Sequence, residues 1–147
     1  MQYLPIHFDT RGSTVLVIGG GAAAEAKLRT LLKTEATLIV VAIEVSAEIQ
    51  RWAALEKLQH VARDFEPTDF DGVSLVYAAT EDDARNGQLA DLAAARQIPA
   101  NAADYKAACR FITPALVDRA PVTVSIGTEG SSPALARALK ADLETRL

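Results

Sequence analysis

Thr14-Val-Leu-Val-Ile-Gly-Gly-Gly-Ala-Ala-Ala24 runs from an apolar, β-branched stretch straight into glycines and then into residues that build a helix. Gly19 and Gly21 take the first two glycine positions of G-x-G-x-x-G/A, one for a tight turn and one for close backbone approach to a phosphate. Ala24 takes the third, where a small side chain lets helix and strand pack closely. The helix expected from about Ala22 to Lys33 aims its free N–H groups and the positive end of its dipole at the turn, which favours an anion there. Gly20, Ala22 and Ala23 share that turn and complete the candidate cofactor contacts around it. A glycine turn is by itself a weak signal, since glycine also stands wherever a strand must bend sharply. Here the apolar strand comes before it, and Ala24, Leu28, Leu31 and Leu32 recur at helical spacing after it. A dinucleotide is the expected ligand.

The 147 residues suit one compact domain with a short extension, and the 50% hydrophobic content is enough for a core. A net charge of −4 argues against a general nucleic-acid binder, although a local basic patch stays open. One cysteine, Cys109, cannot form an internal disulfide. The start of the chain has no basic segment followed by an apolar one and a small-residue cleavage site. No apolar stretch approaches the roughly 18 residues of a membrane helix. A cytoplasmic protein without membrane or nucleic-acid partners is therefore expected.

Strand-like and helix-like patterns alternate along the chain, which predicts a parallel sheet covered on both faces. Thr37 to Ala42 reads as a buried second strand. Ser46 caps a helix carrying Ile49, Trp52, Ala53 and Leu55. His60 to Phe65 gives a short third strand, Ser74 to Ala79 a fourth, Asp82 to Arg96 an alanine-rich helix and Ile98 to Ala103 a fifth strand. The fold class is thus α/β, a Rossmann-type doubly wound parallel sheet, over residues 1–113. Residues 114–147 are expected to add a short strand-helix dimerisation element: Pro114 to Ala120 as a short helix or turn, Pro121 to Ile126 as a strand, and a helix opening at Ser132-Pro133. Leu135, Leu139, Leu143 and Leu147 make a stripe on that helix, to be covered by its own sheet or by a second subunit.

Ligands of such sheets bind beyond the carboxyl ends of the strands, so Gly19 to Gly21, Ala42 to Glu44, Ala79 to Thr80 and Asn101 to Asp104 should share one rim. Ala79 and Thr80 are small or short, as a ribose passing over a strand end requires, though a plain buried strand end looks the same. Asp104 could take a proton at this rim or simply cap a turn. Asn101 could orient Asp104, hydrogen-bond a cofactor amide, or belong to the turn. No Asp or Glu closes the second strand directly, and Glu44 comes a residue or two late for the usual ribose contact. With no arginine beside it to pair a 2′-phosphate, NAD is favoured over NADP.

Several separated motifs then carry a resemblance. They are Leu4-Pro-Ile6, Val17-Ile-Gly-Gly-Gly21 with Ala24 and Lys27, Ala78-Ala-Thr80 with Asp82 and Asn86, Asn101 with Asp104, Phe111-Ile-x-Pro114-Ala115, and Gly130-x-Ser132-Pro133-x-Leu135-Ala136-Arg137. Through them the chain resembles, across essentially its whole length, the precorrin-2 dehydrogenase family, the amino-terminal part of siroheme synthase.

The resemblance implies NAD-dependent oxidation of precorrin-2 to sirohydrochlorin, a step towards sirohaem, by a homodimer. It implies Asp104 as the acid/base residue, and cofactor contact through the backbone at Ile43 and Glu44, since relatives often carry proline at the place of Ile43. It also implies a carboxylate-rich tetrapyrrole substrate, which calls for cations and helix N-termini. Lys106, Arg119 and Arg137, with Arg110 beside them, are the available cations, and Gly130, Ser131 and Ser132 are the candidate anion site, although each cation could equally be a solvated surface charge. Thr128 matches a position that is a phosphorylatable serine in some relatives. Some members also insert ferrous iron at the same site, but His7, His60 and Cys109 do not stand at metal-ligand spacing, and no protein metal site is expected. Relatives commonly continue into a helical domain over the substrate, whereas this chain stops at Leu147, so that lid is expected either to be naturally absent or to lie beyond a truncated end. The usual proline shortly after the catalytic Asp is missing, with Tyr105 and Lys106 there instead. A module that binds NAD or a tetrapyrrole without turnover, and a combined dehydrogenase and ferrochelatase, are the alternatives.

Overall fold

The computed structural model describes Met1–Leu147. Five parallel strands, β1 (Thr14–Ile18), β2 (Thr37–Val41), β3 (Gln59–Val61), β4 (Leu75–Ala78) and β5 (Ala100–Ala102), lie in the order β3-β2-β1-β4-β5. In this order the chain crosses over between β3 and β4, and the switch point falls between β1 and β4, the usual place for a crevice. Helices α1 (Ala22–Leu31), α2 (Ala47–Ala54) and α3 (Asp83–Ala95) make three of the four connections, and the crossover from β3 to β4 carries only the 3₁₀ turn Pro67–Phe70.

Side chains alternate across the sheet, and that alternation divides the core. Leu16, Ile18, Val76, Ala78, Ala100 and Ala102 meet Leu89, Ala90 and Ala93 of α3, with Phe70 from the 3₁₀ turn Pro67–Phe70. Val15 and Val17 point to the other face, where α1 brings buried Ala24, Leu28 and Leu31. The helix starts behave as their sequences require: the Ser46 hydroxyl accepts from the Ile49 N–H, and the Asp82 carboxylate from the Arg85 N–H. β5 is an edge strand, and the returning chain blunts its free side. There Cys109 Sγ lies 3.3 Å from both the N–H and the carbonyl oxygen of Ala102, and the Arg110 N–H donates to the Ala100 carbonyl.

These elements form one compact unit, Phe8–Arg110; Met1–His7 and Phe111–Leu147 form the other. In the second unit the expected helix or turn at Pro114 to Ala120 is instead a strand. Residues Ala115–Arg119 (β6) pair antiparallel with Val122–Ile126 (β7), so a hairpin and not a lone strand precedes helix α4 (Pro133–Arg146). The reason is physical: prolines at 114 and 121 leave too few residues for a helix, while Leu116 and Val117 gain a full set of ladder partners across the hairpin. The turn itself is Ala120-Pro121, with a cis peptide bond. At the far end of the unit the Gln2 N–H donates to the Glu129 carboxylate. No helix is long and apolar enough to cross a membrane.

Candidate functional site

The carboxyl end of β1 turns at Gly19, whose φ of +129° lies in the region open to glycine. A Cβ there would overlap the Ala79 carbonyl, and one on Gly20 would overlap the Glu44 carbonyl and crowd Val45. The strands thus close on the loop from both sides, and only backbone fits. Hydrogen bonds hold the closure: the Gly19 N–H donates to the Val41 carbonyl (3.0 Å), the Ser46 N–H to the Gly20 carbonyl (2.8 Å), and the Ala79 N–H to the Ile18 carbonyl (2.8 Å). Gly21 is the N-cap of α1 and makes no side-chain cap bond, so the first N–H groups of the helix stay available to an anion. Around this loop opens a cleft of about 440 Å³ lined by Gly19, Gly20, Gly21, Glu44, Val45, Ser46, Thr80 and Glu81.

The cleft gathers most of the cofactor residues expected from sequence. Ala24 is buried beneath the helix start, as its packing role requires, and Ala23 is half-buried. Ala22 is exposed at the first helical position, and Ala79 is buried at the end of β4. The Ile43 side chain is 68% exposed and does not line the cleft. Val45, Ser46 and Glu81 line it as well, and sequence reasoning misses them as contacts. Ser46 reads first as a helix cap, and the signal for Glu81 is simply its place one residue beyond Thr80, at a strand end beside the switch point. Ser46 also donates its hydroxyl to Glu25 (3.0 Å), which fixes the start of α2 against α1.

Thr80 is held by a residue of α3 that contributes nothing else to the rim. The fully buried Asn86 accepts from the Thr80 N–H (2.9 Å) and hydroxyl (2.7 Å) through Oδ1, and donates through Nδ2 to the Thr80 carbonyl (3.1 Å). Both bonds that Oδ1 accepts and the one that Nδ2 donates go to this strand end, so Asn86 is a structural clamp for a cleft-lining residue.

Beyond β4 the rim continues at β5. Asn101 pairs with Tyr77 in register and is buried, its Nδ2 3.6 Å from Cys109 Sγ. The Ala103 N–H donates to the Ala78 carbonyl (2.8 Å). The next residue, Asp104, then turns the chain at φ +57°, a left-handed conformation uncommon outside glycine, Asn and Asp. Its side chain is exposed. Tyr105 seats the turn against α3, where a Cβ on Gly87 would stand 3.0 Å from the Tyr105 ring. Lys106 opens the exposed 3₁₀ turn Lys106–Ala108.

The remaining candidates belong to the other unit. Arg119 ends β6 and donates to the Asp118 carbonyl, and Arg137 is exposed on α4. At the start of α4 most local donors are already engaged. The N–H and hydroxyl of Ser131 both donate to the Thr128 carbonyl, the Ser132 N–H donates to the Thr128 hydroxyl, and the Ser132 hydroxyl caps Leu135. Gly130, at φ +72°, shapes the turn.

A family model described as "Putative NAD(P)-binding" matches residues 6–115. The chain belongs to this NAD(P)-binding family. Its glycine cradle fits such a ligand, since the three positions that approach it carry no Cβ and two could carry none. Siroheme synthase of Pseudomonas fluorescens strain Pf0-1 is 40% identical over 99% of this chain, and siroheme synthase of Nitrosococcus oceani is 41% identical over the same share. In each case the match takes in 31% of the relative, so the chain spans about a third of the length of these curated relatives. Among solved structures, SirC, a precorrin-2 dehydrogenase, superposes with a TM-score of 0.79 at 29% identity, covering 99% of this chain and 71% of that one.

Proposed function

We propose that the chain is a precorrin-2 dehydrogenase, oxidising precorrin-2 to sirohydrochlorin with NAD and using Asp104 as the base. The observation that carries this reading is the left-handed turn at Asp104. It holds a carboxylate just past β5, one strand from the Thr80 end of the nucleotide cleft. The likeness to siroheme synthases and to SirC supports the choice of substrate.

Gly19 to Gly21, with Glu44 on the wall of the same cleft, would hold NAD, which when bound would supply the acceptor for two electrons and one hydrogen. Oxidation releases a proton as well, and the Asp104 carboxylate accepts it and returns it to water. Asn101, buried beneath that turn, keeps the end of β5 in register. Glu44 and Glu81 are the charged groups of the cleft, which has no cationic lining residue, and this favours NAD over the extra phosphate of NADP. Lys106 in the first unit, and separately Arg119 and Arg137 in the second, are the cations of suitable chemistry for substrate carboxylates, whereas the Gly130 to Ser132 turn has most of its donors engaged locally. A cytoplasmic homodimer completes the reading, supported by exposed Leu135 and Leu139 on α4 and exposed Val122 on β7.

Anaerobic mixing of the protein with precorrin-2 and NAD tests this, with NADH absorbance as the readout and Asp104→Ala alongside. Release of NADH by the parent and its collapse in the variant are expected. NAD binding without NADH release would replace the dehydrogenase with a non-catalytic binding module.

A further inference from the structure

The polar side chains lining the nucleotide cleft divide into acceptors and donors. Glu44 and Glu81 are acceptors, and the only side-chain donors are the hydroxyls of Ser46 and Thr80. Both hydroxyls are already committed inside the protein. Thr80 donates to Asn86 Oδ1 at 2.7 Å, and Ser46 donates to Glu25 Oε2 at 3.0 Å. Each hydroxyl oxygen also accepts, from the Asp82 N–H at 3.2 Å and from the Ile49 N–H at 3.3 Å. A ligand in the cleft therefore meets acceptors on the side chains and donors on the backbone.

Ser46 stands two residues past Glu44 on the wall that follows β2, the side of such a fold where the ribose 2′ position is read. A ribose 2′-hydroxyl has a hydrogen to give to a carboxylate there. A 2′-phosphate has none at neutral pH; it brings acceptor oxygens and negative charge, and so needs a donor or a cation. Glu25, in the first turn of α1 and outside the cleft lining, takes up one of each. Its Oε2 holds the Ser46 hydroxyl, and its Oε1 holds the Arg29 guanidinium at 2.5 Å. Arg29 also lies over the Trp52 ring, 5.4 Å from its centroid. An i,i+4 pair with Arg29 alone would be an ordinary feature of a helix surface. The bond to a cleft hydroxyl on another element is the part that such a pair does not explain.

We propose that Glu25 is a positioning residue that sets cofactor specificity: by holding the hydrogen of the Ser46 hydroxyl it withholds the side-chain donor of the β2 wall from a 2′-phosphate, so that the cleft takes NAD and refuses NADP. This rests on the nucleotide reading of the cleft above, and direct binding lets the two fail separately.

The test is calorimetric titration of the full chain with NAD and with NADP, in the parent, Glu25→Ala, Ser46→Ala and the double variant. The parent should bind NAD at least about tenfold more tightly than NADP, the scale of one charge-assisted hydrogen bond. Glu25→Ala should tighten NADP about five- to tenfold and leave NAD within about twofold, and adding Ser46→Ala should abolish that gain. A gain that survives Ser46→Ala would belong to the released Arg29 and would overturn the proposal. So would an equal change for both dinucleotides, which a merely structural link between α1 and α2 would give. If Glu25→Ala does not fold, Ser46→Ala alone decides: a withheld hydroxyl leaves the NADP-to-NAD ratio as in the parent, whereas a loss confined to NADP would show the hydroxyl already serving the ligand and would overturn the proposal. A parent that binds both dinucleotides equally overturns the proposal alone, and one that binds neither sinks the nucleotide reading with it.

Discussion

Phe8–Arg110 buries Val15 to Ile18, Val40, Val41, Val76 to Ala79 and the inner sides of three helices, whereas Met1–His7 with Phe111–Leu147 buries only Val117 and Ala136. In that second unit Leu4, Ile6, Val122, Leu135, Leu139 and Leu147 are between 43% and 76% exposed. The difference teaches where geometry can be held. A sheet packed on both faces holds the glycine loop and the Thr80 end in place. A hairpin and one helix with so little buried area cannot stabilise themselves to the same degree, because small units bury too small a fraction of their surface. Their apolar residues gain from being covered by another surface.

The largest expected effect lies on the well-packed unit and leaves its packing untouched. Asp104→Asn should lower kcat for NADH formation by about 10²–10⁴-fold, the usual contribution of one positioned base, while the melting temperature and NAD affinity stay close to those of the parent. If the melt fell together with the rate, Asp104 would be supporting the turn and not the reaction.

A pair of leucine truncations sets the two units directly against each other. Leu28→Ala, at a fully buried position of α1, should cost about 2–5 kcal/mol in denaturant unfolding. Leu135→Ala, on exposed α4, should stay within about 0.5 kcal/mol in dilute protein. Equal costs would mean that the α4 leucines already have a core of their own, and the contrast would be gone.

The same contrast explains which elements are legible in the sequence. β1, α1 and β2 announce themselves because burial dominates there: apolar runs for strands covered on both faces, and a helical stripe for α1 that meets only the sheet. β6 is hidden because its five residues lie between prolines, and its pairing comes from β7 and not from any periodicity of its own. The glycine fingerprint leads correctly to Gly19 to Gly21 because backbone contact imposes residue type. Glu81 and Val45 carry no such imprint, since any side chain can stand at a rim facing water. The Asn86 clamp on Thr80 is likewise visible only when α3 is folded back beside β4. The positive φ at Asp104 leaves no trace beyond an Asp after a short strand, and that trace fits a simple turn equally well.

If a second copy covers the α4 stripe, Leu139→Asp should break the assembly without touching the sheet. Placing a carboxylate at such a contact should weaken self-association about 10–100-fold, read by sizing and by the concentration dependence of the melt. NAD binding should be unchanged. A parent that already elutes as a monomer at micromolar concentration would remove the homodimer from the reading, and would leave the exposed leucines to some other cover.

The smallest effect sharpens the comparison within the cofactor loop itself. Gly19 and Gly20 are hemmed in by backbone, but the only obstacle to a Cβ on Gly21 is the Glu81 carboxylate, the movable end of a side chain. A pyrophosphate bound at the start of α1 would lie near that carboxylate, with Glu44 lining the same cleft. Like charges a few ångströms apart in a wet cleft repel weakly, so Glu81→Gln, which keeps the shape and removes the charge, should tighten NAD binding about threefold by calorimetry. The gain should shrink as salt rises, because exposed charges are screened over roughly 10 Å at 0.1 M. Weaker binding in Glu81→Gln would give the carboxylate the opposite role, as an acceptor for the cofactor's own hydroxyls. Glu81 would then count with the residues that hold the ligand, and Gly21 would be the position kept open for it.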